Sequence, residues 1–162
     1  MLLRMRIYDT MSNKIRDLEP KDPHKISIYA CGPTVQDVPH LGHARTALTY
    51  DVLKRYLIWA GFEVFLVSNI TDIDDRIINR ALAEGISEDE LAQTYANIHI
   101  EQLRNFGIKD PDERPRATQF IQQMISIIEE LMENGSAYEI QGSGIYFDAV
   151  SYTHLTLPTN GT

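Results

Sequence analysis

The 162-residue chain has a single cysteine, Cys31, so no disulfide can form within it. A lone thiol suits a reducing compartment, and the expected location is the cytoplasm. There is no run of about 18 apolar residues, which excludes a membrane-spanning helix. The opening residues, Met1-Leu2-Leu3-Arg4-Met5-Arg6, are charged too soon for a secretory leader. Basic residues are outnumbered 15 to 23, for a net charge of −8, so a broad basic surface for nucleic acid is absent. Contact with RNA or DNA is therefore expected only at a local site or through parts beyond these residues. No repeat and no low-complexity tract occurs. What remains, 43% hydrophobic and 23% charged, is the composition of one ordinary globular domain with chain enough to bury a core.

Lys25–Cys31 alternates and is rich in β-branched residues, which predicts a strand stopped by Gly32-Pro33. From Leu41 to Ala60, apolar residues recur at Ala44, Leu48, Val52, Tyr56 and Ala60, a helical spacing that Gly61 ends. Glu63–Ile70 is short, apolar and bounded by turn signals, and reads as a buried strand. Strand, helix and strand in this order predict a βαβ unit with parallel strands. Further on, Asp74–Glu84 predicts a helix ended by Gly85, and Ser87-Glu88-Asp89-Glu90 a capping box opening a helix to about Phe106. Thr118 is expected to cap another, with Phe120, Ile121, Met124, Ile127, Ile128, Leu131 and Met132 on its buried face. Ala137–Ile140 and Gly144–Asp148 predict a hairpin. The fold class is α/β.

Most of the chemical information lies between Cys31 and Arg45, where the first strand hands over to the first helix. Open α/β sheets bind ligands at the carboxyl ends of their strands. A helix N-terminus there offers unpaired N–H groups and a positive dipole end, both suited to phosphate. His40-Leu41-Gly42-His43 places two imidazoles three residues apart on the first turn. There they can donate to phosphate oxygens as negative charge builds during displacement at phosphorus. Ordinary capping bonds are the alternative. Cys31 by itself is more readily a small hydrophobe than a metal ligand. The row Asp72, Asp74, Asp75 invites a magnesium reading, but acidic residues favour a helix's first turn for dipole reasons alone. His24 and His99 have no partner in sequence and are expected at the surface.

The run Cys31–Arg45, followed by Asn69-Ile70-Thr71-Asp72-Ile73-Asp74-Asp75-Arg76-Ile77, Arg116-Ala117-Thr118 and Ile145-Tyr146-Phe147-Asp148, resembles bacterial cysteinyl-tRNA synthetase in order and spacing. The resemblance covers about residues 6–150. It implies a partial Rossmann-like parallel sheet of the class I synthetase kind, with a helical insertion and a short β-hairpin. It also implies ATP-dependent activation of L-cysteine and transfer to tRNA(Cys), with ATP and Mg2+ as the nucleotide substrate. By the same resemblance His40 and His43 are catalytic, and His40, Gly42 and His43 bind ATP. Gly32, Thr34, Thr46, Asn69 and Thr71 contact cysteine or its adenylate. Cys31 is one of four ligands to a zinc ion that selects cysteine through its thiolate. A zinc–sulfur bond supplies a discrimination that the small size difference from serine or alanine cannot, since that is worth only about 1–3 kcal/mol.

In the same terms, residues 1–150 are expected to be the N-terminal half of the catalytic domain with the start of its inserted segment. Residues 151–162 depart from the family pattern and are expected to be a disordered or foreign tail. The sequence holds no second cysteine and no Lys-Met-Ser-Lys-Ser loop, so the chain is expected to be truncated, to hold zinc poorly and to activate cysteine poorly. Three other functions fit parts of the pattern: a cysteine ligase of mycothiol-type biosynthesis, a small nucleotidyltransferase using His-x-Gly-His, and a non-catalytic nucleotide- or cysteine-binding module.

Overall fold

A computed structural model of the chain describes residues 5–149. The tail expected over residues 151–162 lies outside them. The described residues divide into two compact units between Gln119 and Phe120. No helix among them is long and apolar enough to cross a membrane.

The first unit opens with a small antiparallel hairpin, β1 (Arg6–Asp9) and β2 (Lys14–Asp17). The expected βαβ unit follows as β3 (Lys25–Ala30), α1 (Leu41–Trp59) and β4 (Glu63–Ser68), and β3 and β4 pair in parallel from Lys25–Glu63 to Ala30–Ser68. Residues 112–117 run along the other edge of β4. Ser68 N–H donates to Glu113 O (3.0 Å), and Ile70 N–H donates to Pro115 O (2.8 Å). One face of the β3–β4 pair packs on α1, with Ile26, Val64, Leu57 and Phe62 buried together. The other face is open: Tyr29 is 65% and Phe65 45% exposed. The continuous apolar run of β4 is thus half-buried rather than buried on both sides, because a helix covers only one of its faces.

The spacing-of-four stripe of α1 is also turned differently from what its periodicity suggests. Leu48, Val52 and Tyr56 face solvent, and Leu57 and Asp51 face inward. β4 leads into α2 (Asp75–Glu84) and α3 (Glu88–Asn105). The Asp74 carboxylate caps α2 by accepting from Arg76 N–H, and Gly85 ends it in a left-handed conformation (φ +70°), which costs a residue without Cβ little. The Ser87 hydroxyl accepts from Glu90 N–H at the start of α3. Ile77 and Ala81 of α2 and Leu91, Ala92 and Ala96 of α3 bury against Val35 and Ile70.

Thr118 does not cap the next helix. Its N–H and hydroxyl both donate to the buried Asp72 carboxylate (3.0 and 2.8 Å), fastening the end of residues 112–117 beside β4. A 3-10 turn, Ala117–Phe120, leads instead into α4 (Ile121–Glu133), which has no side-chain cap.

In the second unit α4 precedes the antiparallel hairpin β5 (Ala137–Ile140) and β6 (Gly144–Phe147). The face of α4 expected to be buried is not: no residue of the helix is buried, and Met124, Ile127 and Ile128 are 40%, 57% and 38% exposed. The periodicity that marks a helix as amphipathic carries no information on whether a partner covers it.

Candidate active site

The loop from Cys31 to Pro39 joins β3 to α1 over the carboxyl ends of β3 and β4. Its first part is tied down at β4's end. Gly32 N–H donates to the Asn69 side-chain carbonyl (2.8 Å), Thr71 N–H to Pro33 O (3.0 Å) and Val35 N–H to Thr71 O (3.2 Å). The Asn69 amide in turn donates to the Thr71 hydroxyl (3.3 Å). Gly32 is needed here because a Cβ at this position would lie 1.5 Å from the Asn69 carbonyl oxygen. The loop can therefore cross β4's end closely only without a side chain at residue 32.

At the far end of the loop, His40 is extended (φ −105°, ψ 173°) and is the N-cap of α1. Its Nδ1 accepts from Gly42 N–H (3.0 Å), and His43 Nδ1 accepts from His40 N–H (3.1 Å), a reciprocal capping box built from two histidines. A nitrogen that accepts a backbone N–H carries no proton. In the neutral rings the proton therefore sits on Nε2, which makes each Nε2 a donor. The rings lie 4.1 Å apart, tilted by 43°. A Cβ at residue 42 would come within 2.7 Å of the His40 ring and push it off the cap, so Gly42 is part of the same device.

These groups line a cavity of about 530 Å³. Cys31, Gly32, Thr34, Asn69, His40, Gly42, His43 and Thr46 all contribute to its wall, whereas Thr71 stands behind it, holding Asn69 and Val35. The Thr46 hydroxyl donates to Gly42 O (3.1 Å) within the first turns of α1. Leu66, Ile70, Leu103 and Ile108 supply an apolar lining, and Arg114 and Lys109 are on the wall as well.

His99 is also there, not at the surface. It is 7% exposed, and its ring meets that of His43 edge-to-face at 6.1 Å. Burial pushes its pKa down to about 4, helped by the neighbouring His43 and Arg114, so the ring is neutral at pH 7. His43 is lowered as well, first by burial and then by His40. The signal for His99 was its register: Ala92, Ala96, His99 and Leu103 recur at helical spacing on the buried face of α3. Asp51, buried one helical turn beyond Ala47, also lines the cavity, and no motif in the sequence marks it. Its carboxylate pairs with Arg55 within α1 (2.6 Å) and accepts from Lys109 N–H beyond α3 (3.4 Å).

The three aspartates that invite a magnesium ion have separate structural tasks. Asp72 holds Thr118, Asp74 caps α2, and Asp75 stands in that helix's first turn. Among the described residues no group of three or more histidine, cysteine, aspartate or glutamate side chains is placed to hold a metal ion.

Residues 17–158 match the family model described as the tRNA synthetases class I (C) catalytic domain. The chain is 43% identical over 151 residues to a cysteine–tRNA ligase of Thermodesulfovibrio yellowstonii, covering 91% of this chain and 31% of that protein. It is 44% identical over 144 residues to one of Helicobacter acinonychis (89% and 31%) and 42% identical over 146 residues to one of Thermococcus gammatolerans (90% and 30%). The chain thus spans about a third of the length of these relatives. Among solved structures, the LeuRS–tRNA–LeuAMS complex of Agrobacterium radiobacter K84 superposes with a TM-score of 0.62 at 18% identity, covering 74% of this chain and 16% of that one. Mycobacterium tuberculosis methionyl-tRNA synthetase with methionyl-adenylate gives 0.61 at 17% identity, covering 71% and 22%. At such identities these two likenesses concern the fold alone.

Proposed function

This chain belongs to the class I tRNA synthetase (C) catalytic-domain family, and we propose that it serves the ATP-dependent activation of L-cysteine and its transfer to tRNA(Cys), with residues 1–150 as the N-terminal half of that catalytic domain. The observation that carries this reading is the histidine pair at the head of a 19-residue helix, both Nδ1 atoms engaged by backbone N–H groups and both Nε2–H groups left as donors beside a cavity. In the proposed step a cysteine carboxylate oxygen attacks the α-phosphorus of ATP. The bond to the bridging oxygen breaks, and pyrophosphate leaves. His40 and His43 donate to phosphate oxygens, and the N-terminus of α1 adds its dipole where charge accumulates. The tautomer that the backbone bonds select suits this task, because with Nδ1 occupied by a backbone N–H each ring presents Nε2–H as its donor. Gly42 admits the phosphates close to the backbone. Gly32, Thr34, Thr46 and Asn69 line the cavity where the amino acid and its adenylate would lie, and Thr71 supports Asn69 from behind.

Cys31 is proposed as one ligand of a cysteine-selecting zinc. The described residues do not by themselves fit that ion, which takes at least three protein ligands, and no step is derived through it. The test is a titration of the isotope-labelled chain with ATP and Mg2+. The imidazole signals of His40 and His43 and the Gly42 amide are expected to move, while exposed His24 stays still. Replacing both histidines by alanine is expected to weaken binding at least tenfold. ATP that leaves these signals unmoved, or that binds the double variant equally well, would overturn the reading.

A further inference from the structure

We propose that Arg80 is the positioning residue for the α1 histidines: its guanidinium fixes residues 36–39 against α2 and α3, and so delivers His40 to the place where it caps α1. The first part of the β3–α1 loop is fastened to β4's end through Gly32, Pro33 and Val35. After Val35, itself buried, the loop leaves the sheet. Among the described residues, every hydrogen bond or ion pair from residues 36–39 to another element ends on Arg80. Its Nη1 donates to Gln36 O (2.7 Å) and lies 3.0 Å from the Asp37 carboxylate.

The guanidinium is itself held from two sides. Nε donates to Glu84 one turn further along α2 (2.7 Å), Nη2 donates to the Tyr95 hydroxyl on α3, and the guanidinium carbon stands 4.6 Å over the Tyr95 ring. Tyr95 packs on the core cluster formed by α2 and α3. One planar fork therefore joins loop, α2 and α3 at once, which a lysine ammonium on its flexible stem cannot do. His40 follows three residues after Asp37 and must arrive extended for Nδ1 to reach Gly42 N–H. With the fork removed, the hydrogen bonds of residues 36–39 among the described residues reduce to a local one, Val38 N–H to the Asp37 carboxylate (2.7 Å), between the anchored Val35 and the cap. What the positioned imidazoles then do rests on the nucleotide reading above, whereas the positioning itself does not.

The 15N shifts of the imidazole nitrogens, recorded on the chain without nucleotide at about pH 7.5, above the unperturbed imidazole pKa of about 6.5, decide the matter. In the native chain His40 and His43 read as single Nε2–H tautomers. In Arg80→Gln, His40 is expected to move at least halfway toward the tautomer mixture of exposed His24, while the methyl signals of Ile77 and Leu91 hold. Arg80→Lys keeps the charge and is expected not to restore the native signal. An unchanged His40 in Arg80→Gln, or full restoration by lysine, overturns the proposal. If Arg80→Gln does not fold, Asp37→Asn decides, because it removes the loop's carboxylate and leaves the bonds of Arg80 to Glu84 and Tyr95 intact. A partial shift of His40 supports the proposal, and no shift overturns it. Failure of the native chain to bind ATP counts against the nucleotide reading alone and leaves the tautomer result standing.

Discussion

His40 and His43 each serve the fold and the cavity with different nitrogens of the same ring, so a substitution at either has two separable costs. His40→Ala removes an N-cap acceptor and is expected to lower unfolding free energy by about 1 kcal/mol, read from the urea midpoint. The same variant should lose the ATP-dependent shift of the Gly42 amide. Gly32→Ala is harsher, because its methyl would overlap the Asn69 carbonyl. The expected loss is at least the roughly 1–3 kcal/mol of an overpacked interior, visible as a lowered melting temperature. His99 sets a pH dependence. Its folded pKa, about 4, lies below the ordinary 6.5, so the unfolded chain takes up the proton first as pH falls. Stability is expected to be fully present above about pH 6.5 and to drain away toward pH 4, with His43 contributing in the same direction. The lowered carboxylates, Asp37 and Asp74 among them, add their own loss as pH falls toward and below their ordinary value of 3.8, so the histidine contribution is read above about pH 5. A His99→Gln variant whose urea midpoint falls between pH 7 and about pH 5 as steeply as the native chain's would refute this assignment.

Elements differ in how far their sequences announce their surroundings. The helix ends at Asp74, Gly85 and Ser87 are local chemistry, a side chain or a missing Cβ meeting its own backbone, and each stands where the sequence places it. Thr118, which the same local rule would make an N-cap, does something else, because a carboxylate 46 residues earlier in the chain takes its donors. That latch predicts an asymmetry between two substitutions. Asp72→Ala leaves the Thr118 N–H and hydroxyl without acceptors beside β4 and should cost about 1–3 kcal/mol in thermal unfolding. Ile127→Lys on α4 replaces a side chain that is 57% exposed and should change stability by under about 0.5 kcal/mol. A large loss at residue 127 would mean that α4 is covered in solution.

For the whole molecule, the chain spans about a third of the length of its relatives, and its sequence contains neither a second cysteine nor a Lys-Met-Ser-Lys-Ser loop. Cysteine-dependent exchange of pyrophosphate into ATP is accordingly expected near background for these 162 residues, even where ATP binds at the histidine pair. Robust exchange would place the catalytic machinery wholly within this chain and overturn the division of labour proposed for residues 1–150.

The βαβ unit, the hairpin of the second unit, the helix stops and the His-x-Gly-His junction were all legible in the residues, because period, capping and turn chemistry act over a few positions. Side-chain company was not. The inward turn of His99, the capture of Thr118 by Asp72 and the fork of Arg80 depend on contacts between residues 15 to 56 positions apart. The solvent-facing stripes of α1 and α4 show the same divide from the other side. Periodicity tells which residues share a face, and only the packing of one element on another decides whether that face meets protein, cavity or water.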